Sequence, residues 1–249
     1  MAPVDTHAHL VDLAETEAVV EHASSAGLSG IIAVSTSAAN FSGTLLLASK
    51  HPGFVHAALG VHPTEFFDQD LVYVLDSIRV NSKRLVAVGE IGLDYWHKLV
   101  RKDKAIKERQ IEFYTSQLRL AVELDLPVSI HSRGAWSDCL LYAEQSGTTR
   151  GVFHWYSGPL DVLDQILERG FYVSCTPTLE SSPELRAAMS RAPLERILVE
   201  TDSPVWIRSQ ARASEPADVL LTVKHLALLK GLPEEDVASA TRKNSETLF

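Results

Sequence analysis

Short apolar runs alternate with longer amphipathic ones along the whole of this 249-residue chain. The short runs cover 3–7, 30–35, 54–60, 85–90, 127–131, 150–154, 171–175 and 196–201. Strands separated by helix-length segments pair in parallel, because the crossover helix returns the chain to the same end of the sheet. Eight such units in this length predict an α/β fold, a (β/α)₈ TIM barrel, with one domain over residues 1–249. A doubly wound open sheet usually has fewer strands and a glycine-rich turn after the first, and that turn is missing. Ile111, Tyr114, Leu118 and Ala121 recur at helical spacing. Gly27, Gly53 and Gly170 sit between a helix and the next strand, where a helix stop needs a left-handed residue. Residues 206–216 read as a loop before the last helices, with a helix start at 215–216 and Pro216 in its first turn.

In such a barrel the reactive side chains come from the C-terminal ends of the strands. The first run delivers His7 and His9, two residues apart and therefore on one face of extended backbone. Asp5 lies just upstream. His62 follows the third run, Glu90 ends the fourth, and His131 with Arg133 closes the fifth. The sixth carries His154, and Glu200 and Asp202 stand at the eighth. Five of the ten histidines fall at strand ends. His22, His51, His56, His97 and His225 lie elsewhere and read as solvated or core residues. Imidazole and carboxylate donors without thiolate suit zinc, manganese, iron or magnesium. Glu90, across the mouth from the first and eighth strands, is placed to bridge two divalent metal ions.

The net charge of −9 argues against a broad basic surface. One local basic cluster stands out: Lys98, Arg101, Lys102, Lys104, Lys107 and Arg109, against Asp103 and Glu108. It is suited either to a polyanion backbone or to a solvated helix face with local ion pairs. Cys139 and Cys175 lack CxxC spacing and read as buried thiols rather than a disulfide or zinc site. The opening residues lead to the expectation of no secretory leader, and no apolar run reaches the roughly 18 residues of a membrane span. The expectation is a cytoplasmic protein with no membrane partner.

DTHAH, GVHP, GEIGLDY, LPVSIHSR, FHWYSG and ETDSP occur in order over nearly the whole chain, and NSETLF closes it. As a set they resemble the TatD family of metal-dependent hydrolases, within the amidohydrolase-like barrels. The resemblance implies one ion held by His7, His9, Glu90 and Asp202, and another by Glu90, His131 and His154. It further implies a divalent-metal-dependent deoxyribonuclease, with DNA or another phosphodiester as substrate. Two positions depart from the family pattern. Ser214 precedes Glu215-Pro216 where asparagine is common, and Trp155-Tyr156 follows His154 where a smaller residue and phenylalanine are common. These aromatics suit either stacking on a base or packing under the loop.

Phosphodiester hydrolysis needs an activated water, a group to take its proton, and cations to stabilise the phosphoryl oxygens. Asp202 is the expected base, and Glu90 the second catalytic carboxylate. Arg133 offers a bidentate fork for phosphate. His62 and Tyr95 are further expected substrate contacts. The rival expectation keeps the metals and changes the substrate to an ester or amide, as in a D-aminoacyl-tRNA deacylase. Glu90 stands where phosphotriesterase-type barrels carry a carboxylated lysine, which argues against that branch.

Overall fold

The computed structural model describes residues 2–249. Its central sheet is formed by β1 (Val4–Ala8), β2 (Gly30–Val34), β3 (Val55–Leu59), β4 (Leu85–Gly92), β5 (Val128–His131), β6 (Gly151–Phe153), β7 (Tyr172–Cys175) and β8 (Ile197–Val199). Each strand pairs in parallel with the next in the chain. Residues just beyond β8 close the ring onto β1. Asp202 N–H donates to the His7 carbonyl at 2.9 Å and His9 N–H to the Ser203 carbonyl at 2.8 Å. Asp5, fully buried, accepts from the Thr201 amide at 2.9 Å and its hydroxyl at 2.6 Å. Burial holds the Asp5 carboxyl well above the ordinary carboxylate range, although these hydrogen bonds pull the other way.

Every residue of β2 is buried, as expected for a strand covered on both faces. Successive residues serve different cores, because side chains alternate along a strand. Ile32 and Val34 join Ala58 and Ala87 in one cluster, against which Phe249 packs. Ile31 and Ala33 belong to the larger apolar cluster shared with the helices. Those helices are α1 (Thr16–Ser25), α2 (Phe41–Lys50), α3 (Leu71–Asn81), α4 (Lys98–Lys102), α5 (Lys104–Glu123), α6 (Trp136–Gln145), α7 (Leu160–Glu168), α8 (Pro183–Arg191), α9 (Val219–Lys230) and α10 (Glu234–Leu248).

Helical periodicity places Tyr114, Leu118 and Ala121 in the buried face of α5. Asp103 caps that helix, accepting from the Ala105 amide at 2.8 Å, so the basic cluster is divided between α4 and α5. Strand β4 runs past its expected end because Ile91 and Gly92 pair with Ile130 and His131. The close approach requires glycine: a Cβ on Gly92 would stand 1.9 Å from the His131 carbonyl oxygen.

The expected loop at 206–216 contains a small antiparallel hairpin, β9 (Trp206–Ile207) with β10 (Arg212–Ala213). Two-residue strands are too short to leave an alternating pattern. The hairpin is fixed at its base by Ser214, whose hydroxyl accepts from the Val205 amide at 2.9 Å. Arg212 grips Asp218 through both terminal nitrogens at 2.7 Å. Pro216 opens a short 3₁₀ turn capped by Glu215. Both cysteines are buried and free. No helix among the described residues is long and apolar enough to cross a membrane.

Candidate metal centre

Five imidazoles and two carboxylates from β1, β4, β5 and the segments after β1, β3, β6 and β8 converge at the C-terminal mouth. Glu90, 1% exposed, stands at the middle. Its Oε2 lies 3.3 Å from His7 Nε2 and 3.5 Å from His9 Nε2. Its Oε1 lies 2.7 Å from His154 Nε2, 2.9 Å from His131 Nδ1 and 3.4 Å from His62 Nε2. One carboxylate thus presents one oxygen to each of two imidazole groups. Asp202 joins the first group, with Oδ1 3.2 Å from His9 Nε2 and 3.7 Å from His7 Nε2.

Polar contacts on the far side of the rings set their orientation, hydrogen bonds at His9 and His7 and charge contacts with carboxylates at His154 and His131. His9 Nδ1 lies 3.1 Å from the Val34 carbonyl, an acceptor only, so that nitrogen carries a proton. His7 Nδ1 lies 3.2 Å from the Ser129 hydroxyl. His154 Nδ1 is 3.4 Å from Glu200, and His131 Nε2 is 3.4 Å from Asp94. Glu200 is itself steadied by the Trp155 amide at 2.8 Å. Asp94 accepts from Arg133 Nε at 2.9 Å and Nη2 at 2.8 Å. Carboxylate–imidazole pairs of this kind fix the tautomer and orientation of metal-ligating histidines.

Burial opposes charge on Glu90, Asp202, His9, His62, His131 and His154, and at all but His62 their mutual attraction overrides it. Glu90 is held well below the ordinary carboxylate range despite burial, chiefly by His62, His154 and His7. Asp202 is likewise lowered against its burial, by His9 first. Burial disfavours the His9 imidazolium, yet Asp202 and Glu90 lift it to about 9. His131 and His154 are raised against burial by their carboxylate neighbours, whereas burial prevails at His62 and lowers it.

The donor set fits divalent cations. With Nδ1 on a carbonyl, His9 faces two carboxylates through Nε2, an arrangement that calls for positive charge at that atom, which a divalent cation supplies in place of a proton. His7 Nε2 is buried without a hydrogen-bond partner in the same place. Oxygen and imidazole donors without thiolate match magnesium, manganese and zinc.

The structure brings together all six residues expected as ligands: His7, His9, Glu90, His131, His154 and Asp202. His62, expected to meet substrate, lies inside the donor cluster, with Nε2 3.1 Å from His131 Nδ1. Arg133 reaches the mouth, but its Nε and Nη2 are committed to Asp94, so it is not the free bidentate fork the sequence suggested. Tyr95 is not brought into the cluster. Its hydroxyl donates to Asp138 at 2.7 Å and Lys107 lies over its ring at 3.7 Å. Trp155 is half-buried against the apolar core and lines the cleft above the cluster, while Tyr156 is buried with its hydroxyl on the Pro159 carbonyl. Sequence reasoning missed the positioning parts of Asp94 and Glu200. Both sit inside the sequence motifs, four residues after Glu90 and two before Asp202, and their partners lie on other strands.

A parallel barrel with this cluster at its C-terminal mouth is the architecture of a metal-dependent hydrolase. Residues 4–249 match the family model described as TatD related DNase, and the chain belongs to that family. Human deoxyribonuclease TATDN3 is 30% identical over 258 residues, covering 99% of this chain and 94% of its own length. The metal-dependent hydrolase YabD of Bacillus subtilis (strain 168) is 30% identical over 261 residues, covering 98% of each. The crystal structure of YjjV, a TatD homolog from Escherichia coli K12, superposes with a TM-score of 0.88 at 30% identity, over 99% of this chain and 97% of that one.

Proposed function

We propose that this protein hydrolyses phosphodiester bonds of DNA at the barrel mouth, with His7, His9, Glu90, His131, His154 and Asp202 holding up to two divalent ions. The observation that carries the reading is Glu90, whose two carboxylate oxygens face different imidazoles, Oε2 toward His7 and His9 and Oε1 toward His131 and His154. When bound, such ions supply Lewis acidity and bring the pKa of water toward neutrality. The chain's own residues supply the rest. Asp202 lines the cleft at the edge of the cluster, where its ionised carboxylate is placed to accept a proton from the attacking water. Asp94 and Glu200 hold His131 and His154 in place, so little reorganisation is needed as charge develops. Arg133, 52% exposed and anchored on Asp94, presents positive charge to a phosphate entering the cleft.

The names of TATDN3 and of the family model support the choice of DNA. They do not favour the ester or D-aminoacyl-tRNA alternative. Two buried free thiols accord with a reducing compartment, and we place the protein in the cytoplasm. The test is product analysis on end-labelled single-stranded DNA with Mg²⁺ or Mn²⁺, beside a small uncharged ester. Label released from DNA with the ester untouched is the expected result. Ester turnover with intact DNA overturns the reading.

A further inference from the structure

All four tryptophans of the chain, Trp96, Trp136, Trp155 and Trp206, line one cleft of about 890 Å³ that also takes in His131, His154 and Asp202. They arrive from four different segments, after β4, β5, β6 and β8. Trp96 and Trp206 are 59% and 60% exposed, so the core gains little from them.

Two of the indoles are held in place. Gly134 has φ +72°, and a Cβ there would stand 2.5 Å from the Trp96 ring. A Cβ on Gly158 would stand 2.7 Å from the ring of Trp136. Trp96 and Trp136 meet edge to face, with centroids 5.8 Å apart. The result is a pre-set aromatic wall beside the candidate metal centre.

Charge is uneven across the cleft. Glu180 and Glu184 line it, as do Arg133 and Arg208. Beyond Trp96 stand Lys98, Arg101 and Lys102, exposed on α4, while the ion pair within the basic segment is Lys104 with Glu108. A phosphate backbone is repelled by the two glutamates and drawn toward the lining arginines and, beyond Trp96, the cations of α4.

We propose that Trp96 and Trp206 are specificity-determining residues that stack on unpaired nucleobases flanking the phosphate at the metal centre, with the backbone running toward α4. The proposal rests on the phosphodiesterase reading and adds to it which groups of the substrate are recognised. Stacking is sequence-tolerant, because every base has a π-face, and it requires bases free of their neighbours in a duplex.

Because all four tryptophans line the cleft, intrinsic fluorescence reports its occupancy. The full-length protein is titrated in chelator with a short oligothymidylate and with an abasic deoxyribose-phosphate strand of the same length. Oligothymidylate is expected to quench fluorescence and to bind more tightly than the abasic strand. Trp96→Ala and Trp206→Ala should each weaken oligothymidylate binding roughly tenfold, in line with stacking measured by alanine substitution. Trp96→Phe should recover most of the loss, and the penalties should shrink on the abasic strand. Equal binding of the two strands by the wild type overturns the proposal, as does wild-type affinity in both alanine variants. Adding Mn²⁺ to the same mixture tests the parent reading separately. Base-dependent binding without cleavage defeats the nuclease reading, whereas cleavage with indole-indifferent binding defeats this inference alone.

Discussion

Glu90 is 1% exposed and lies within 3.5 Å of five imidazoles. Trp96, six residues later in the same chain segment, is 59% exposed and meets one other indole. The two belong to neighbouring regions built in different ways. The metal centre is made of strand-end residues whose positions follow from the parallel register of the barrel. The cleft above it is made of loop and helix-start residues, placed by local features such as Gly134, Gly158 and the Arg212–Asp218 clamp. In the centre a lost charge is felt by every neighbour. In the cleft each side chain acts largely independently, so losses there should be smaller and more nearly additive.

That contrast orders the expected effects of mutation. Glu90→Gln keeps the shape and removes the charge shared by both imidazole groups. Turnover of DNA should fall by roughly 10²–10³-fold, as when a preorganised electrostatic stabiliser is lost. Elemental analysis should show depleted metal in the same preparation. Near-normal turnover would make the carboxylate structural and erase the distinction between the two regions.

Asp202→Asn should reduce kcat by roughly 10²-fold, in the range for a missing general base. Single-turnover kinetics separate that loss from weaker substrate binding. Glu200→Gln and Asp94→Asn act through His154 and His131, and each should weaken metal affinity by roughly 10–100-fold. Metal-buffered titration checks this, and added metal should restore much of the rate. The Asp94 variant also releases Arg133, so a larger KM change there than for Glu200→Gln would show that Arg133 meets the substrate.

The different construction of the two regions also explains what the sequence revealed. Histidines at i and i+2 near the end of a strand, and acids or imidazoles at the ends of later strands, point to a candidate metal centre because strand period and barrel topology are both readable from apolar runs. The cleft was not legible in this way. Trp96 and Trp206 are far apart in the chain, and nothing periodic connects them. The hairpin that carries Trp206 has two-residue strands. Arg133 was visible as a cation at the mouth, but its partner Asp94 belongs to the segment after β4, so the pairing depends on tertiary structure.

The smallest effect belongs to the basic segment. Lys98→Glu combined with Arg101→Glu should leave metal content unchanged and raise the apparent binding constant for DNA. It should also flatten the salt dependence, by roughly one unit of log–log slope for each phosphate no longer neutralised. An unchanged salt slope would mark α4 as a solvated helix face and confine recognition to the cleft.

Metal dependence at the mouth is tested most directly by one chelation series on end-labelled single-stranded DNA. The protein is freed of metal, assayed, and assayed again after stepwise return of Mn²⁺ or Mg²⁺, with bound metal measured at each step. No cleavage by the metal-free protein is expected, followed by recovery that saturates at no more than two ions per chain, in keeping with donors facing both carboxylate oxygens of Glu90. Full activity in the exhaustively chelated protein would contradict the account.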